Sequence, residues 1–121
     1  RVNTLKDANG NNSIATSFVA GGSAKAWQMS DGTAGSVSFG DSLNHGSITD
    51  NGTGDYTCAY TNNMANDDYA SFFVGNGREY ESPFGSNATS GHQTGHRNSS
   101  GSMADTNKLS GGVVGDLAWV K

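Results

Sequence analysis

The residues of this chain best suited to chemistry are three histidines, one cysteine and a scatter of carboxylates. His92 and His96 stand four apart, with His45 elsewhere, and imidazole suits zinc, nickel or iron. That spacing serves a metal when both rings leave one helical face, but Gly91 and Gly95 argue against a helix there. No cysteine or acid stands at ligand spacing beside them. A solvated loop is therefore the expected setting, with no metal and no cofactor; the alternative is an intersubunit ion on a threefold axis. Asp67, Asp68, Glu79 and Glu81 have the residue types of a glycosidase pair. That reaction needs two carboxyls about 5 to 9.5 Å apart across a cleft, and nothing in the pattern builds one. Asp50, Asn51 and Asp55 offer calcium-type oxygens, yet their spacing is not that of an EF-hand, and Asx capping of a hairpin accounts for them. Gly40-Asp41-Ser42-Leu43-Asn44 fails as a nucleophile elbow at its last position. Gly75-Asn76-Gly77 lacks the third glycine and the helix of a dinucleotide site. Cys58, the single cysteine, excludes an internal disulfide and reads as a buried, inert thiol on an alternating strand. These residues predict no enzyme.

The elements that must position them are strands. Ser47-Ile48-Thr49 enters Asp50-Asn51-Gly52-Thr53-Gly54-Asp55 and leaves through Tyr56-Thr57-Cys58-Ala59-Tyr60, a hairpin pattern. Alternation puts Tyr56, Cys58 and Tyr60 on one face of the return strand. Ser36-Val37-Ser38-Phe39 alternates upstream, and the three strands together predict a β-meander. Tyr69 to Val74 is apolar on both faces, which predicts a central strand or a subunit contact. Residues 75–110 lack apolar periodicity and read as one long irregular loop. The end, Gly112 to Lys121, reads as a closing strand beside the first one. Before residue 25, Val2, Leu5, Ile14, Phe18 and Val19 are scattered among polar residues without a period. Asn9-Gly10 marks a turn and Gly21-Gly22-Ser23 a joint, so residues 1–24 read as an extended N-terminal arm or stalk. An initiator Met and a few residues are expected before Arg1.

Composition narrows the class further. Gly, Ser, Asn and Thr supply 57 of 121 residues and hydrophobic residues only 33%. A chain so poor in apolar surface folds as turn-rich β structure with a thin core, and self-association is the remedy for a marginal core. The fold expected is all-β: an antiparallel β-sandwich or jelly-roll-like domain over 25–121, assembled as a homotrimer. A net charge of −4 argues against nucleic acid, which needs a basic face. No apolar run is long enough for a membrane-spanning helix, and no secretory signal is visible.

The same central stretch carries a likeness. Lys25-Ala26-Trp27, Gly32-Thr33, Asp41-Ser42, Ser47 through Thr57, and Met64-Ala65 with Tyr69 resemble a module of phage tail-fibre and virion structural proteins from marine and cyanobacterial viruses. The opening Arg1 to Asp7 resembles the start of such fibres, and the likeness spans roughly residues 1–74, returning at Gly115-Asp116-Leu117-Ala118. Gln28-Met29-Ser30 departs from the aromatic strand that usually follows the Trp, and 75–109 matches nothing in the module. The resemblance implies a virion location, other virion proteins of tail or capsid as partners, and particle docking or oligomer contact through Val2, Leu5, Ile14, Phe18 and Val19. Tyr80, Phe84, His92, His96 and Arg97 interleave with Gly, Ser and Asn, a mixture suited to host-surface glycan or protein. The alternatives are a purely structural capsid fibre or decoration protein, and a glycan-degrading tail enzyme.

Overall fold

The computed structural model describes residues 2–75, 80–82 and 87–118, with backbone alone at 80–82. The chain is mostly β and its sheets are antiparallel, as the composition predicts. One sheet follows the order β4 (Phe39–Leu43), β3 (Ala24–Ser30), β11 (Leu109–Val114), β7 (Ala70–Val74). The other follows β5 (His45–Gly52), β6 (Asp55–Tyr60), β10 (Gly91–Arg97), β8 (Tyr80–Ser82), with β9 (Asn87–Ala88) also against β10.

The predicted hairpin is β5–β6, with Ile48 opposite Cys58 and Thr49 opposite Thr57. Its turn needs positive φ at Gly52 (134°) and Gly54 (67°). Asp50 accepts the Gly52 N–H at 2.9 Å, and Asn51 donates to Asp55 and Thr57, so these side chains brace the turn. Tyr56, Cys58 and Tyr60 are all buried on one face of β6, as alternation requires. Buried Ala26, Tyr60, Met64, Tyr69 and Val113, with Leu117 against them, join residues of both sheets in one cluster.

Four expectations change. The segment expected to complete a meander shifts to β4 and pairs with β3 in the opposite sheet. The reason is Asn44, whose φ of 58° turns the chain between sheets, and whose side chain both accepts from Asn62 N–H and donates to the Asn62 carbonyl. The 69–74 strand is not central. β7 ends the four-stranded order and leaves Phe72 and Val74 exposed. The long loop at 75–110 is not a loop throughout, because β10 lies between β6 and β8 at the middle of its sheet. Its inward residues are His92, Thr94 and His96, all buried, so a search for aliphatic periodicity passes over it. Finally, residues 2–23 are not one continuous extended segment. β1 (Thr4–Leu5) and β2 (Ile14–Ala15) form a hairpin, followed by a short helix, α1 (Thr16–Gly22), with no buried residue. Asp7 organises the connecting turn, accepting the N–H groups of Asn9 and Asn11. Of the closing strand expected over 112–121, only 112–114 is strand: β11 runs from Leu109 to Val114 and pairs with β3, while 115–118 lie outside it and 119–121 outside the described residues.

The turn at Gly54 is wedged into the fold. Its N–H donates to Asp105 Oδ1 at 2.8 Å, and its carbonyl accepts the His96 N–H at 2.9 Å. A Cβ there would lie 2.6 Å from the His96 carbonyl and 2.7 Å from the Ala104 backbone, whereas one at Gly52 would meet nothing within 4 Å. Gly54→Ala should therefore cost more than about 3 kcal/mol, adding a backbone clash to the positive-φ strain, and Gly52→Ala only about 1 kcal/mol. Equal melting temperatures for the two variants would contradict this ordering.

Candidate functional site

Two features stand out, one inside the molecule and one on its surface. The inner one begins with the register of three adjacent strands. His92 on β10 lies directly opposite Cys58 on β6, and His45 on β5 lies opposite Tyr60. Between His45 and Ser47 the β5–β6 register shifts by one residue, a bulge at Gly46. The bulge lets His45 and Ile48, three apart, both face inward. His45, Cys58 and His92 are all buried, and a ring nitrogen from each histidine and the Cys58 Sγ lie within 4.8 Å of one another.

Hydrogen bonds hold both rings from behind. His45 Nδ1 is 3.1 Å from the Trp27 carbonyl, and His92 Nδ1 is 3.0 Å from the Tyr60 hydroxyl. The Tyr60 ring meets the Tyr69 ring edge-on, and the Tyr69 hydroxyl donates at 2.7 Å to the Gly91 carbonyl. Phe39 stacks near His45 and Phe73 near His92, closing the cluster with apolar rings. Burial, and then the neighbouring His45, hold the His92 imidazole down at about 4. Burial lowers His45 as well, and pushes the Cys58 thiol up to about 12. All three groups are therefore neutral near pH 7.

The outer feature is the exposed face of the four-stranded sheet. Pairing register sets two rows across it: Leu43, Trp27, Gly112, Phe72, and Asp41, Met29, Ser110, Val74. The five large apolar side chains in these rows are all exposed, Phe72 by 62% and Val74 by 65%.

The sequence-predicted site residues divide differently. His92 and His96 point into the core, and His96 Nδ1 lies 2.8 Å from the Ala104 carbonyl. Arg97 is half-buried and donates to the Gly101 carbonyl at 2.9 Å. Phe84 and the side chain of Tyr80 lie outside the described residues. His92 and His96 are thus taken up by the core, because β10 is a central strand of its sheet. Val2, Leu5, Ile14, Phe18 and Val19 are all exposed on the N-terminal hairpin and helix. Asp67 and Asp68 are exposed neighbours, while the side chains of Glu79 and Glu81 lie outside the described residues. Reasoning from local spacing missed Cys58 as a companion of His45 and His92, since the three meet only through strand pairing. Neither family models, nor curated proteins, nor solved structures give a match to this chain.

The buried histidines predict acid sensitivity. The unfolded chain protonates His92 below about pH 6.5, whereas the folded core resists until about 4. Stability is therefore complete above pH 6.5 and lost as pH falls toward 4, by roughly 3 kcal/mol, with His45 adding in the same direction. In chelator, the melting temperature should drop across that window, and His92→Gln should flatten the drop. A flat wild-type profile from pH 6.5 to 4 would show that the imidazole is not desolvated.

Proposed function

We propose that this chain is a non-enzymatic structural subunit of a bacteriophage virion fibre or appendage, folded as an antiparallel β-sandwich and assembled as a homotrimer. One observation carries the assembly reading. Every large hydrophobic residue exposed among the described residues belongs to one of two sets. Val2, Leu5, Ile14, Phe18 and Val19 lie on the N-terminal segment; Trp27, Met29, Leu43, Phe72 and Val74 lie on one sheet face. Each set offers roughly 500 Å² of apolar surface, at the upper end of what a free monomer leaves uncovered. Set against each other, the two sets give roughly 1,000 Å² in total, the threshold for a specific interface.

The occupant proposed for the sheet face is the N-terminal hairpin and helix of a second copy. Such a contact is head-to-tail, and it closes as a ring when the rotation is threefold. The virion assignment is supported by the resemblance of residues 1–74 to phage fibre modules. Burial of His92 and His96 favours the structural role over host contact through that segment.

At micromolar concentration the protein should sediment as a trimer. Phe72→Asp combined with Val74→Asp should give a monomer with an unchanged far-UV β spectrum, since neither side chain is needed by the monomer's core. A wild-type monomer under those conditions removes the assembly reading. Antibody against the chain should decorate intact particles of the virus that encodes it; undecorated particles remove the virion reading and leave assembly untouched.

A further inference from the structure

We propose that His45 Nε2, His92 Nε2 and Cys58 Sγ form a buried binding site for one divalent transition-metal ion of the zinc class. The geometry is that of three ligands from three neighbouring strands, β5, β6 and β10, converging within 4.8 Å of one another. Two imidazoles and a thiolate are the donors that zinc takes, with a fourth position left for a further ligand. Around a tetrahedral ion such atoms sit about 3.4 to 3.6 Å apart, given bonds of about 2.0 to 2.3 Å. Side-chain movements of about 1 Å close the site from the spacing observed.

Counting donors shows where the lone pairs point. The Trp27 carbonyl can only accept, so His45 Nδ1 donates to it and Nε2 carries the bare lone pair. The Tyr60 hydroxyl engages His92 Nδ1 at 3.0 Å, so Nε2 is the ring nitrogen of His92 left for a further partner. Both Nε2 atoms are buried without a hydrogen-bond partner in the protein. The residues are 8% (His45), 2% (His92) and 0% (Cys58) exposed.

An inert core is a poor account of this arrangement. A buried polar nitrogen without a partner is destabilising, and neither Nε2 reaches one, Cys58 included. A metal ion satisfies both and uses the sulfur as well. An Nδ1–H held by a carbonyl or hydroxyl is also the support that orients ligating imidazoles. On binding, Nε2, Nε2 and Sγ each form a bond to the ion, the Cys58 S–H breaks, and one proton leaves to solvent. No oxidation state changes. The ion would pin three consecutive strands of one sheet, and this role is independent of the assembly reading.

Cobalt(II), with a thiolate band that zinc lacks, is the probe. Chelator-treated protein titrated with Co²⁺ should develop a sulfur-to-cobalt charge-transfer band that saturates at one ion per chain. Zn²⁺ should abolish the band and raise the melting temperature. Cys58→Ser should keep its β spectrum but lose both the band and the zinc-induced rise. His92→Gln should weaken Co²⁺ binding by at least about tenfold. Absence of a thiolate band from folded wild-type protein at saturating Co²⁺ overturns the proposal, as does an undiminished zinc effect in Cys58→Ser. Cys58 is the chain's one cysteine, so the wild-type titration decides the matter even if Cys58→Ser does not fold.

Discussion

The interior depends on buried rings whose polar tips are tied down, as where the Tyr69 hydroxyl donates at 2.7 Å to the Gly91 carbonyl. Beside it the Tyr60 hydroxyl meets His92 Nδ1 at 3.0 Å. A second tyrosine works the same way at the hairpin end, where Tyr56 donates to Asp105 Oδ1, the atom that also accepts the Gly54 N–H. A core made of tyrosine and imidazole gains the area of its rings only when each polar tip finds a partner. That requirement ties β6 and β10 to the 104–106 segment and to the start of β7 more tightly than aliphatic packing would. It also explains why Gly54 tolerates no side chain: the hydrogen bonds draw the turn onto the backbone of His96 and Ala104.

The same constraint shapes the surface. The inner face of one sheet is filled by His45, Tyr56, Cys58, Tyr60, His92, Thr94 and His96, while Trp27, Met29, Leu43, Phe72 and Val74 face outward from the other. Placing bulky apolar groups outside and hydrogen-bonding rings inside is a poor arrangement for a solitary monomer. It is a reasonable one for a subunit whose outer face is covered on assembly. The N-terminal hairpin and helix supply matching apolar groups, and helix α1 has no buried residue of its own.

The inner cluster and the outer face lie on different sheets and make different demands. The cluster needs strand register held to within a fraction of a residue, because a slip of one position would turn His92 or Cys58 away. The outer face needs only that apolar groups share a side. A chain combining the two has a hydrogen-bonded interior and an apolar exterior face.

Residue types alone determined the hairpin at Gly52–Gly54, the buried face of Tyr56, Cys58 and Tyr60, and the all-β class, because turn chemistry and alternation are local properties. They also showed that apolar surface was scarce. Three things were decided only by tertiary structure. Asn44, at a φ of 58°, sent β4 and β5 into different sheets, a choice that no flanking residue announces. β10 became a core strand although its inward residues are His92, Thr94 and His96, because pairing to β6 and β8 buries whatever those positions hold. And His45, Cys58 and His92, spread over 48 positions of the chain, came together through a one-residue bulge and a cross-strand pairing. Spacing along a chain reports neighbours within one element; it carries no information about partners that only register brings face to face.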